Sequence, residues 1–255
     1  MRRNLRIALL LVILLLVAVK TWQDQRLSKR WRVPLYVAIY PIAADDSAAT
    51  RNYLAHIDAD RFKPIDNFFA REAQRYQLPL AEPFRTRLRP ELHDRPPQRG
   101  ADAGMLSTVL WSLRLRYWAW QESGHAGEPE DIRVFVLYHD PALTPSVPHS
   151  LGLTKGLIGV VYAFAATDMN GDNDVVVAHE LLHTLGATDK YDPRNDAPIF
   201  PDGYGDPNQV PLFPQRRAEI MAGRLIVAPD HWEQASTLEQ VVLGNATAAE
   251  ISWVR

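Results

Sequence analysis

Residues 175–192 read Val-Val-Val-Ala-His-Glu-Leu-Leu-His-Thr-Leu-Gly-Ala-Thr-Asp-Lys-Tyr-Asp. Val177, Ala178, Leu181 and Leu185 recur at helical spacing and predict a helix that docks through this apolar face. His179 and His183 stand four residues apart, on one side of that helix and one turn from each other. Glu180 points about a quarter turn away. Two histidines and a glutamate on a helix this apolar need a reason to be there. Imidazoles so spaced reach one metal ion, and the glutamate then stands beside the ion's open position.

A catalytic zinc site takes three protein ligands and leaves one position open. Gly186 ends the helix in a left-handed turn, and the reversed chain delivers Asp189. The pattern is H-E-x-x-H-x-x-G-x-x-D-x-Y. It resembles the extended metzincin signature, with Asp189 in place of the third histidine. The nearest resemblance is to the snapalysin-type zinc peptidases, which carry Asp there and Tyr two residues on, here Tyr191. Immune-inhibitor-A-type peptidases have a similar G-x-x-D-x-Y-D run. Downstream, Glu219-Ile220-Met221-Ala222-Gly223 resembles the Met-containing turn of the same group. By motif, the resemblance covers roughly residues 175–225.

The resemblance implies an α+β, zincin-like fold: a mixed twisted sheet, an active-site helix and a largely irregular C-terminal part. It implies one zinc ion held by His179, His183 and Asp189, with Glu180 moving a proton from water to the leaving amine. Tyr191 is either a hydrogen-bond donor to the developing oxyanion or a packed aromatic. Met221 is expected to support the site by packing. Glu219, His231 and Asp192 remain open as alternative third ligands. Two other readings stand beside a peptidase: a scaffold of the same fold without turnover, and a zinc hydrolase acting on a non-peptide amide.

The chain has 255 residues and a formal net charge of -2, so no polyanion-binding surface is implied and no nucleic-acid partner is expected. It has no cysteine, so any zinc must take nitrogen and oxygen ligands. Arg2, Arg3 and Arg6 precede the apolar run Ile7 to Val19, closed by Lys20 and Trp22. Residues 1–22 therefore read as an uncleaved signal anchor, 23–32 as a stalk, and 33–255 as a domain on the non-cytoplasmic side of a membrane, acting on peptide or protein substrates. Cleavage of the signal, giving a secreted protein, is the alternative.

Val33–Ile42, Pro83–Leu88, Asp131–Tyr138 and Leu157–Ala165 read as strands. Ser47–Tyr76 reads as helical with a break near Pro64, and Met105–Gln121 as an amphipathic helix. Residues 89–103 and 140–155 read as loops. In the metzincin arrangement the strand before the active-site helix is an antiparallel edge that binds extended peptide, a role assigned to Leu157–Ala165, with an interior strand as the alternative. Asp168, Asn170, Asp172 and Asp174 alternate as calcium ligands do. A turn with Asn173 or Asp174 capping the next helix explains the same residues and is preferred to Ca2+. Beyond Asp192 the chain is proline-rich and irregular, ending in a helix over Ser236–Leu243.

Overall fold

Leu35–Ala43 is a nearly unbroken apolar run, as expected of a strand covered on both faces. It forms β1. The computed structural model describes residues 30–254, except 99, 101–103, 124–126, 128 and 155. The proposed anchor, residues 1–22, and most of the stalk lie outside the described residues. Among those described, no helix is long and apolar enough to cross a membrane.

β1 belongs to a five-stranded sheet with β2 (Phe84–Leu88), β3 (Ile132–His139), β4 (Leu151–Leu153) and β5 (Ile158–Phe164), in the order β2-β1-β3-β5-β4. The β2–β1, β1–β3 and β3–β5 pairs are parallel, and only β4 runs antiparallel. The fold is thus mixed α+β with a mostly parallel sheet.

Alternation along β1 builds a core on each face. Val37 and Ile39 point to the side covered by α2 (Lys63–Arg75) and α4 (Asn170–Thr184), where Ile65, Phe68, Phe69, Val177, Ala178 and Leu181 are buried. Each of these side chains except Ala178 contributes about 1.5–3 kcal/mol by leaving water. Ala38 and Tyr40 point to the other side, where Leu115 and Ala119 of α3 (Met105–Glu122) pack with Phe135 and Leu137. A short helix, α1 (Ala48–Ala55), is capped by Ser47, whose hydroxyl accepts from the Thr50 amide. Pro64 sits in the first turn of α2, where its missing N–H costs nothing. The break in the helical stretch falls earlier, at His56–Asp58.

Several expectations are corrected. Leu157–Ala165 is not the sheet edge: β5 is flanked by β3 and β4, and the antiparallel edge is β4, inside the stretch read as a loop. Asn173 and Asp174 do not cap α4, because the helix begins at Asn170 and both lie within it. The Asn173 amide instead pairs with the backbone N–H and C=O of Phe164, and Asp174 pairs with Arg61 at 2.6 Å. Ser236–Leu243 is not a helix. Ser236 folds back on Gln240, and Val241–Val242 form β11 beside β8 (Ala218–Glu219). The last helix is α5, Asn245–Glu250. Trp31, assigned to the stalk, is buried. Its indole N–H donates to the Ile251 carbonyl at 2.8 Å, and its ring meets Phe84 and Trp253 edge-on.

The segment after Asp192 is irregular, as its prolines suggest, with short pairings: β6 (Tyr191–Asp192) with β7 (Ala197–Pro198), and β9 (Arg224–Ala228) with β10 (His231–Gln234).

Candidate metal centre

The C-terminal half of α4 carries His179, Glu180 and His183, whose ligand atoms lie within 4.8 Å of one another. Leu185 caps the helix, Gly186 takes a φ of +89°, and the Ala187 amide bonds back to the Leu182 carbonyl. A side chain would strain that left-handed position. The turn sends the chain back past the histidines and brings Asp189 to them. Its Oδ1 lies 3.2 Å from His179 Nε2 and 3.1 Å from His183 Nε2. The acidic atom closest to both rings therefore belongs to Asp189 rather than to Glu180.

Both rings are oriented by backbone. His179 Nδ1 faces the Ile220 carbonyl at 3.0 Å, and His183 Nδ1 faces the Ala187 carbonyl at 2.8 Å. A carbonyl only accepts, so each Nδ1 carries the hydrogen. In a neutral ring Nε2 is then a lone pair, and both lone pairs point at one carboxylate oxygen. Three electron pairs converging on one spot repel unless a positive charge lies among them. A proton on one Nε2 supplies it but leaves the other ring's lone pair facing the carboxylate, and protons on both put two imidazolium rings 4.7 Å apart, centroid to centroid. One divalent cation satisfies all three atoms at once. The spacing suits zinc: ligands about 2.0–2.1 Å from a tetrahedral ion stand about 3.3 Å from each other.

The electrostatics agree with the geometry. Burial works against the Asp189 carboxylate, but in the ion-free site imidazolium rings donate to it from Nε2, and those hydrogen bonds from His179 and His183 outweigh burial and hold its pKa well below the usual range. Burial likewise opposes charge on His183, yet the hydrogen bond to Asp189 and the Glu180 carboxylate raise its pKa. Glu180 is buried, which pushes its pKa up against the pull of the two histidines. Its Oε2 has no hydrogen-bond partner among the described residues. A buried carboxylate oxygen left open beside two imidazoles fits a group that exchanges protons with a bound molecule.

The loop carrying Asp189 is pinned on both sides. Thr188 donates its amide and hydroxyl to Glu250, Lys190 Nζ reaches both Glu250 oxygens, and the Lys190 amide donates to the Met221 carbonyl. The Glu219–Gly223 turn lies beneath His179 and supplies the Ile220 carbonyl. Met221 is buried in the main core.

The other candidate ligands are occupied elsewhere. Glu219 is buried and accepts from the amides of Met221, Ala222 and Gly244 and from the Thr247 hydroxyl, so its carboxylate ties the turn to the C-terminal segment. Asp192 pairs with Arg194. His231 is exposed on β10. Tyr191 is half-buried at the start of β6. Burial, with the charge of Asp189, raises its phenol pKa.

Five contributors carried no sequence signal. Gly152 of β4 lies against the backbone of α4, and the Thr154 hydroxyl donates to the His183 carbonyl at 3.0 Å. His149, on the loop before β4, is near enough to Glu180 to lower its pKa electrostatically. The Ile220 and Ala187 carbonyls are main-chain atoms, which no side-chain pattern reports.

No family model matches the chain, and no curated protein is detectably similar to it.

Proposed function

We propose that this chain is a zinc-dependent peptidase, tethered by its N-terminal segment to the non-cytoplasmic side of a membrane. The observation that carries the reading is the convergence of His179 Nε2, His183 Nε2 and Asp189 Oδ1 on one point, with both Nδ1 atoms already committed to carbonyls. The resemblance to metzincins supports it, as does the single antiparallel strand at the sheet edge beside α4.

In this reading His179, His183 and Asp189 hold the ion. A zinc ion held there would acidify water and polarise a carbonyl. Glu180, with its open Oε2, takes the proton from water and delivers it to the departing amine nitrogen. Tyr191 donates its phenolic hydrogen to the carbonyl oxygen as charge gathers on it. β4 pairs with β5 along one side, and its other side receives an extended peptide through main-chain hydrogen bonds.

The test is Glu180→Gln in the full chain, assayed on a peptide library beside the wild type. Cleavage should fall by about 10²–10⁴-fold with zinc still bound. Cleavage that survives the substitution contradicts the assigned base. A wild type that binds zinc but cuts no peptide is a scaffold or acts on another amide.

A further inference from the structure

α3 departs from the amphipathic helix expected of its sequence, because it is apolar on both sides. Leu115 and Ala119 are fully buried against the sheet, and Trp118 packs edge-on to Phe135. The opposite side should be polar on a surface helix. It instead exposes Val109 (50%), Leu110 (49%), Leu113 (52%), Tyr117 (60%) and Trp120 (66%). At about 100° per residue these five fall within one arc of roughly 100°. Arg116 flanks the arc on one side and Arg114 on the other, by the same count. A stripe ending in Tyr and Trp and bordered by arginines has the composition of a helix lying in a membrane interface. A solvated face has no use for it, since apolar patches of this kind mark contact surfaces.

The chain also places this stripe near a bilayer, if its N-terminus is anchored as proposed above. The apolar run ends at Val19, and Lys20 to Arg30 is eleven residues. Fully extended, these span at most about 40 Å. Trp31 is then fixed in the core on the α2 side of the sheet, so the tether meets the domain there, at the end of the sheet where β1 begins. The C-terminal end of α3 lies at the same end of the sheet. The Ser123 hydroxyl, just past α3, accepts from Arg133 at the start of β3, and Asp131 is paired with Tyr36 at the start of β1. Tyr117 and Trp120, the two interfacial aromatics, are therefore on the part of α3 nearest the tether.

We infer that the outer face of α3 rests on the lipid surface to which the N-terminal segment anchors the chain. The inference rests on the tether and is independent of the zinc chemistry. Membrane contact through Val109, Leu113, Tyr117 and Trp120 restricts how the domain is turned relative to the bilayer.

The absence of cysteine makes the test direct, because one introduced thiol is unique. Leu113→Cys and Trp120→Cys, each carrying an environment-sensitive fluorophore, are compared with Asp60→Cys. Asp60 is highly exposed, on the segment leading into α2, which covers the opposite sheet face. The full chain is reconstituted into vesicles of phosphatidylcholine and phosphatidylglycerol containing a lipid with a nitroxide high on its acyl chain. Emission should be lost at positions 113 and 120 and retained at position 60. A chain that survives an alkaline wash of the vesicles but shows no quenching at 113 overturns the inference and leaves the tether standing. A label shielded from water yet unquenched also overturns it, because protein then covers α3: a second copy or the chain's own apolar run. A chain that washes off refutes the tether and this inference together.

Discussion

Gly152 lies so close to His183 that a β-carbon added to it would stand 2.5 Å from the histidine β-carbon, with the Glu180 carbonyl oxygen equally in the way. The edge strand and the helix that carries the two histidines touch backbone to backbone at that glycine. Gly152→Ala should therefore force β4 off α4 and cost about 1–3 kcal/mol in urea unfolding, as overpacking does. Gly159→Ala is the control. Its new methyl meets Val134 at 3.5 Å, an ordinary contact, and should cost far less. Equal costs would show that the β4–α4 approach is not tight.

The helix is anchored at its other end by charge. Arg61 Nη1 meets Asp174 Oδ1 at 2.6 Å, with both side chains more than nine-tenths buried, and a second nitrogen donates to the Asn170 carbonyl. Removing one partner strands the other charge, so Arg61→Leu and Asp174→Leu should each cost about 3–5 kcal/mol. The double variant should cost clearly less than the sum, because no orphaned charge remains. Additive losses in a double-mutant cycle would contradict a coupled pair.

A pH dependence follows from Asp66, near the start of α2. Burial raises its pKa to about 6, although it accepts from the Thr86 amide and hydroxyl. The folded chain thus holds this proton more tightly than the unfolded chain, whose carboxyl titrates near 3.8. The resulting stabilisation is complete below 3.8 and is lost as pH rises through about 6. Asp66→Asn keeps an acceptor for Thr86 and removes the ionisation. The variant should match the wild type near pH 4 and exceed it by about 1–2 kcal/mol above pH 7, the full linkage value being reduced for partial exposure. A difference that is constant with pH, or of opposite sign, would sink this assignment.

The legible parts of the chain were those with a strong period or a dense local pattern. β1, β3 and β5 are predominantly apolar runs within one or two residues of their expected bounds. His179, Glu180, His183 and Asp189 lie within eleven residues, so helix geometry and one glycine turn suffice to bring them together. β4 escaped notice because three residues, one of them glycine, carry no alternation to detect. Asn173 and Asp174 have cap-forming side chains, but their partners Phe164 and Arg61 come from other elements, and the helix simply starts sooner. Val241 and Val242 fitted a helical spacing, yet β-branched neighbours beside Ala218–Glu219 settle as a strand. The outer face of α3 is hidden in the sequence because spacing alone does not say which of two apolar sides meets the sheet.

The central claim is tested most directly by zinc stoichiometry on the metal-stripped full chain, comparing wild type with Asp189→Ala. The wild type should bind one zinc ion per chain, and Asp189→Ala should lose affinity, in a competition with a chromogenic chelator, by well over the 10–100-fold typical of removing an outer-shell partner. A wild type that takes up no zinc, or an Asp189→Ala variant that binds it as tightly as the wild type, would contradict the account.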